Sequence, residues 1–154
     1  MSLDHRLKQL KIDLPLNGSP GALYTPVVRH DQVAYVSGQL PREGDRIFVT
    51  GKVGLDVDVA AAKQGARMAF VRALAALRDA LGSLDSVEQI LKLTVFVQSA
   101  DDFSGQSSVA DGPSELIFEL FGSERGKHAR TSIGVAQLPR NASVEVDIVV
   151  ALST

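Results

Sequence analysis

Residues 126–150 read GKHARTSIGVAQLPRNASVEVDIVV, and the fold turns on how this stretch is divided. Two runs alternate apolar with polar residues: Ile133 and Val135 lead the first, and Val144, Val146 and Ile148 lead the second. Strict alternation is the pattern of a strand with one buried face. Between the runs lies Leu138-Pro139-Arg140-Asn141-Ala142-Ser143. Proline removes a ladder donor and asparagine favours a turn, so the reading is strand, turn, strand. Arg130 stands at the mouth of the first strand, and Glu145 sits just inside the second with a valine on each side. A guanidinium and a carboxylate set into apolar strands are the most suggestive polar groups of the chain.

Immediately upstream, a helix is expected with Pro113 and Ser114 in its first turn, Leu116, Ile117, Leu120 and Phe121 on its apolar side, and Gly122 as its stop. Residues 123–127 form a polar connection. Residues 90–98 are apolar on both faces, which predicts an interior strand covered on both sides. The longest periodic segment is 58–81, where Val59, Ala62, Ala66, Phe70, Ala73, Leu77 and Leu81 recur at helical steps. Asp56 or Asp58 caps this helix and Gly82 fits its left-handed end. Lys63, Arg67, Arg72, Arg78 and Asp79 are expected to form its solvated side. Nearer the N-terminus, residues 24–29 and 33–37 read as strands around the turn His30-Asp31-Gln32, the polar residues 42–46 as exposed, and residues 47–50 as a short third strand. Ser2 caps a short helix bearing Leu3, Leu7 and Leu10, and residues 17–21 form a Gly- and Pro-containing loop.

The order helix, two or three strands, helix, strand, helix, two strands predicts an α+β fold, with two main helices on one face of a mixed sheet. With 154 residues and no repeat or linker, the chain reads as one domain, residues 1–20 being an N-terminal extension. Two helices cover one sheet face only, so a homo-oligomer is expected to cover the other. A formal net charge of -2 argues against a nucleic-acid partner, which requires a basic surplus to displace counterions. The absence of cysteine removes disulfides and thiolate chemistry, and the three histidines show no ligand spacing, so no metal is expected. No signal peptide or spanning segment is visible, which predicts a soluble cytoplasmic protein.

Four pieces in this order resemble the RidA/YjgF family, the reactive-intermediate deaminases once labelled L-PSP endoribonucleases. They are Val36-Ser37-Gly38-Gln39-Leu40-Pro41; Leu93-Thr94-Val95-Phe96-Val97 followed by Asp102-Phe103; Arg130-Thr131-Ser132; and Leu138-Pro139 followed by Val144-Glu145-Val146. The resemblance runs from about Tyr24 to the C-terminus. It implies a chorismate-mutase-like fold and a homotrimer with ligand clefts between subunits. It also implies hydrolysis of 2-imino (2-enamine) acids to 2-keto acids and ammonia, with no cofactor. By the same resemblance Arg130 grips the substrate carboxylate, Glu145 positions the attacking water, Tyr24, Ser37 and Gly38 line the cleft, and Ser132 faces the ligand. The chain departs from the pattern after Asp102-Phe103, where Gln106, Ser107 and Ser108 stand near the usual asparagine, through residues 104–127, and at His128, where relatives carry proline. These departures resemble a divergent branch of the family.

Each residue also has a plainer reading. Arg130 offers the planar fork that suits a carboxylate, or it forms a structural ion pair at a strand end. Glu145 holds a water, or is an edge-exposed glutamate. Tyr24 is a packed strand aromatic, Ser37-Gly38 a simple turn, and His128 a partly exposed histidine beside Arg130. If the last two strands pair as a tight hairpin about Asn141, Glu145 lies opposite Gln137, and Arg130 is about 23 Å away at ~3.3 Å per residue. One chain then cannot bring both groups to one small substrate. Three functions are therefore carried forward: the deaminase, a non-catalytic module that binds a small carboxylate metabolite, and, with least support, a ribonuclease.

Overall fold

A computed structural model of the chain describes residues 2–16 and 23–154. The loop expected at residues 17–21 lies outside the described residues. In order the elements are helix α1 (Leu3–Gln9), strands β1 (Val27–His30), β2 (Val33–Gln39), β3 (Arg42–Glu43) and β4 (Arg46–Ile47), helix α2 (Val59–Leu81), strand β5 (Val87–Gln98), helix α3 (Gln106–Arg125) and strands β6 (Ala129–Val135) and β7 (Val144–Leu152). Five strands form one mixed sheet in the order β1-β2-β7-β5-β6, and β3 and β4 make a separate small hairpin. Only the β5–β6 pairing is parallel within the large sheet. The α+β architecture expected from the sequence is thus the observed one.

The expected tight hairpin is not formed. β6 and β7 are both strands, but β5 lies between them and pairs with each. The connection over residues 136–143 therefore has to pass around the end of β5. The side chain of Gln98, the last β5 residue and only 2% exposed, holds it there. Its Oε1 accepts from Leu138 N at 2.7 Å and its Nε2 donates to Asn141 Oδ1 at 2.8 Å. Arg140 and Asn141 take positive φ of 57° and 58°, which turns the chain back into β7. Beyond them Ser143 N donates to Val49 O at 3.0 Å and Ser143 Oγ to Gly51 O at 2.8 Å. The short strand expected at residues 47–50 is accordingly divided: Ile47 ends β4, while Val49 and Thr50 pair with the crossover.

Both main helices pack on one face of the sheet. α2 begins at its Asp58 cap, which accepts from Ala61 N at 2.8 Å, and ends at Gly82 with φ 84°. Its Phe70, Leu74 and Leu77 are fully buried, each contributing roughly 1.5–3 kcal/mol by leaving water. From the sheet, Leu93, Val95, Val97, Val144, Val146 and Val150 meet them, all fully buried. On the opposite face Val28 (55%), Tyr35 (54%) and Ile133 (41%) remain exposed. β5 is interior, as expected, but only its helix-facing side is covered; Lys92, Thr94 and Phe96 on the other side are half-buried.

Two expectations about the helices need correction. α3 starts at Gln106, seven residues before Pro113, which is buried inside the helix. Glycine followed by proline reads locally as a turn, but here Gly112 marks a close helix crossing. A Cβ on Gly112 would lie 2.3 Å from the Lys63 carbonyl oxygen of α2. Gly122, expected as the stop, is a kink with φ 78° after which one more turn follows. The charged side of α2 is a partly solvated face, with Asp79 exposed and Arg72 buried. Lys63 pairs with Glu115 at 2.7 Å, Arg67 donates from both Nη atoms to the Glu119 carboxylate at 3.3 Å, and Arg78 donates to the Pro15 carbonyl at 2.9 Å. Arg72, 4% exposed, donates to the Arg42 carbonyl at 3.2 Å. These side chains tie α2 to α3, to the N-terminal segment and to β3. The N-terminal segment docks on its own chain, with Leu3 and Leu7 buried and Arg6 Nε donating to Glu119 O at 2.8 Å.

The Gly112 crossing gives a direct check. Because the Cβ would meet backbone rather than a movable side-chain end, Gly112→Ala forces α2 and α3 apart. It should cost about 1–3 kcal/mol, seen as a lower urea midpoint at unchanged slope; an unchanged midpoint would contradict the packing.

Candidate functional site

The strand register fixes where Arg130 and Glu145 point. Arg130 pairs with Leu93 and Glu145 pairs with Phe96, three positions further along β5 with no register shift between. An odd separation puts the two side chains on opposite faces of the sheet. They are two strands apart as well, so their Cα atoms are separated by about 14 Å at ~4.8 Å per strand and ~3.3 Å per residue. The hairpin-based 23 Å gives way to a shorter path with the sheet itself between the groups. A single chain does not bring them together.

Arg130 faces α3. Its Nη1 donates to Asp111 Oδ1 at 2.8 Å and to Ser114 Oγ at 3.2 Å, and its Nη2 donates to Ser107 Oγ at 2.8 Å. The plain reading of an ion pair at a strand end is therefore part of the picture, although the pair is open to water, with side-chain exposures of 25% and 51%. Ser132 shares the helix-facing side of β6 with Arg130. Gln106, at the start of α3, reaches Ser99 Oγ at 3.2 Å and donates to Phe103 O at 2.9 Å. His128 Nδ1 lies 2.7 Å from the Gly126 carbonyl, which only accepts, so Nδ1 carries the proton. Its Nε2 lies 2.9 Å from Ser114 Oγ, and that same oxygen accepts from Arg130. A shallow groove of ≈ 550 Å³ runs along Asp111, Ser114, Phe118, His128 and Arg130.

The remaining expected residues gather around β2. Ser37 and Gly38 are a β-bulge rather than a turn: between the pairs Val36↔Ile148 and Gln39↔Val146 they stand against Asp147 alone. The bulge brings bare backbone onto Glu145, since a Cβ on Gly38 would lie 2.0 Å from Glu145 Oε1. Glu145 is half-buried on an interior strand, not edge-exposed. Burial, and secondarily the Asp147 carboxylate, push its pKa above the ordinary glutamate value. Asp147 is raised likewise by burial, against the opposing effects of Thr94 and Lys92. Ser37 Oγ is buried with no hydrogen-bond partner among the described residues. Tyr24 precedes β1 and is 53% exposed, so it is not a packed strand aromatic. Tyr24, Ser37 and Gly38 line one cavity of ≈ 620 Å³ that also takes in Arg42, Asp79 and Arg140.

Sequence reasoning missed Ser107, Asp111 and Ser114 as partners of Arg130. Their spacing of four and three places them on one helix face, but only once the helix is known to begin at Gln106. Arg42 and Arg140 carried no periodic or motif signal. Among the described residues no three His, Cys, Asp or Glu side chains cluster to hold a metal ion, and no helix is long and apolar enough to cross a membrane.

Comparison with known proteins places this geometry. Residues 17–152 match the family described as Endoribonuclease L-PSP. The chain belongs to that family. This is the RidA/YjgF family of the sequence resemblance. The chain is 42% identical to Protein TCP17 of Trypanosoma cruzi over 96% of its own length and 92% of the relative's. It is 27% identical to a 2-iminobutanoate/2-iminopropanoate deaminase of Dermatophagoides farinae, over 92% of this chain and 94% of the other. The crystal structure of Atu1372 from Agrobacterium tumefaciens, a protein of unknown function, superposes with a TM-score of 0.89 at 43% identity, covering 99% of this chain and 94% of that one.

The raised Glu145 pKa has a defined signature in stability. Below the ordinary glutamate value both folded and unfolded states hold the proton. As pH rises past that value the unfolded state ionises first, so the folded state holds more protons and stability falls until the folded pKa is passed. Glu145→Gln removes this loss. Its urea midpoint relative to the parent chain should be more favourable at about pH 8 than at about pH 4; an equal difference at both would show that Glu145 ionises as freely as in water.

Proposed function

We propose that this chain hydrolyses small 2-imino (2-enamine) acids to 2-keto acids and ammonia, at clefts completed by a second copy of the chain in a homotrimer. The observation that carries this reading is the placement of Arg130 and Glu145 on opposite faces of one sheet. Both groups can act on one small substrate only if Arg130 comes from one copy and Glu145, with Tyr24, Ser37 and Gly38, from another. The exposed Val28, Tyr35 and Ile133 give the open face an apolar surface for such an assembly. The likeness to a protein named 2-iminobutanoate/2-iminopropanoate deaminase supports the reaction class.

In this reading Arg130 holds the substrate carboxylate and Ser132 lines its side of the cleft. Glu145, half-buried and with a raised pKa, takes a proton from water as the water oxygen adds to the imine carbon. With the imine protonated, this addition gives the neutral carbinolamine; the same carboxyl returns the proton to nitrogen, and as ammonia leaves the carboxylate takes the hydroxyl proton, which passes on to form ammonium and leaves the C=O of the keto acid. The bare backbone of Gly38 lets the Glu145 carboxylate approach, beside a Ser37 hydroxyl that has no partner among the described residues.

A second reading, a carboxylate-binding protein without turnover, has one specific observation behind it. Asp111 already occupies Nη1 of Arg130, so part of the fork is neutralised before any ligand arrives. The ribonuclease in the family's description has weaker support, because the formal net charge of -2 gives no basic surplus for a phosphate backbone.

Keto-acid release from 2-iminobutanoate, generated in place by a dehydratase, separates these readings. Release should exceed the buffer rate with the parent chain. Arg130→Ala should lower kcat/KM by about 10- to 100-fold, the worth of a charge-assisted bond, and Glu145→Gln should lower kcat by about 10²–10⁴-fold. Release no faster than buffer would remove the deaminase reading. Asp111→Asn frees the fork, so pyruvate binding followed by calorimetry should tighten by about 2- to 5-fold. Weaker binding would mean that Asp111 helps to hold the ligand instead.

A further inference from the structure

The cavity of ≈ 620 Å³ beside β2 carries charge that the deamination scheme does not use. Arg42 lines it from β3 and Arg140 from the crossover around the end of β5. Among the described residues neither forms an ion pair: Arg46 takes Glu43, Arg78 takes Asp79, and Arg140 donates only to the Asp45 carbonyl, which leaves its charge intact. Asp79 is the one carboxylate in the lining, and its Oδ1 already accepts from Arg78 Nε at 2.9 Å and Nη2 at 2.8 Å. A third guanidinium, Arg72, is buried behind Arg42 and donates to its carbonyl at 3.2 Å. Arg42 contributes to lowering the Arg72 pKa, after burial, so the two charges feel one another. The buried Ser37 hydroxyl, without a partner among the described residues, lies in the same lining. The rest of the wall mixes the polar Thr25 and Gln39 with apolar residues that include Leu40, Ala76 and Pro139. A cavity of this size with partly apolar walls and two guanidiniums in no ion pair among the described residues suits a small molecule with a short carbon body and two anionic groups.

We infer that this cavity binds a small dianion, a dicarboxylate or a carboxylate bearing a phosphate, through Arg42 and Arg140 of one chain. The two side chains act as separate anion clamps, and Ser37 offers a hydroxyl to one of the bound oxygens. Because Tyr24, Ser37 and Gly38 line the same cavity, the inference adds to the reading above: Arg42 and Arg140 hold a dianion beside the substrate carboxylate that Arg130 of another copy takes. It rests on that reading for the reaction but not for binding.

Calorimetry at low ionic strength tests it with malonate, inorganic phosphate and propionate as probes. Malonate should bind at least about tenfold more tightly than propionate, the worth of one further charge-assisted contact. Comparable binding of phosphate would identify a single two-fold charged group as sufficient, and binding of malonate alone would place two separated carboxylates; both support a dianion site. Arg42→Gln and Arg140→Gln should each erase most of the preference, and Arg42→Lys should restore part of it. Arg46→Gln removes a charge from the same hairpin outside the cavity and should leave it intact. Urea midpoints of the variants identify loss through unfolding. Equal affinity for malonate and propionate, or a preference that survives Arg42→Gln and Arg140→Gln together, overturns the inference. Turnover measured in parallel keeps the two ideas apart. Dianion binding without keto-acid release fails the deaminase reading alone, and release without dianion preference fails this one alone.

Discussion

The position of β5 between β6 and β7 constrains everything else in the molecule. Two strands that are neighbours in sequence would by default pair as a hairpin, with a short turn between them. Here the turn has to span an extra strand, and its backbone loses the ladder partners a hairpin would give it. Those partners are replaced one by one. Gln98 supplies its amide to Leu138 and Asn141, while Val49 and Gly51 accept from Ser143. A buried glutamine with both ends of its amide bonded is stable; one with its partners removed would leave unmet polar groups at a substantial cost. The crossover is thus an ordered part of the core, and Arg140 leaves it at a defined place beside the cavity.

The same insertion sets the chemistry of each sheet face. β5 relates β6 to β7 through its own register, and the odd offset between Leu93 and Phe96 sends Arg130 toward α3 and Glu145 away from it. On the helix side, Arg130 enters a polar seam of Ser107, Asp111, Ser114 and His128, half open to water. On the open side, Glu145 and Asp147 lie among half-buried apolar and polar strand residues with no helix above them. The bulge at Ser37-Gly38 is what lets Glu145 tuck against the backbone.

Much of this was legible in the sequence, and the failures share a cause. The helix over residues 58–81 was readable because one apolar face, one aspartate cap and one glycine stop agreed. The strands were readable from alternation, and the motif residues from their order along the chain. What periodicity does not contain is which strands are neighbours in the sheet, since alternation is identical for a hairpin and for a pair split by a third strand. Pro113 misled for a related reason. Its local chemistry starts helices, but packing of Gly112 against the Lys63 carbonyl carries α3 through it. That displacement of the helix start hid Ser107 and Asp111, and with them the environment of Arg130. Arg42 lies in the two-residue strand β3 and Arg140 in the crossover, segments too short for a pattern to announce which cavity a side chain will reach.

The open face also ties assembly to the state of its carboxylates. Half-burial already raises the pKa values of Glu145 and Asp147, and the Asp147 charge adds to the rise at Glu145. Covering Val28, Tyr35 and Ile133 with a second copy removes more water from the same face, which stabilises the assembly through apolar burial and destabilises it through desolvation of two charges. The balance improves if Lys92, whose charge already acts to lower the Asp147 pKa, takes on one of them and leaves Glu145 to hold a proton or a water. A face with no carboxylate would associate more tightly but would have no base to offer. In the proposed trimer the retained charge and the apolar surround are two halves of one arrangement: the apolar residues would bring copies together, and the carboxylate they partly desolvate would be the group with chemistry to perform.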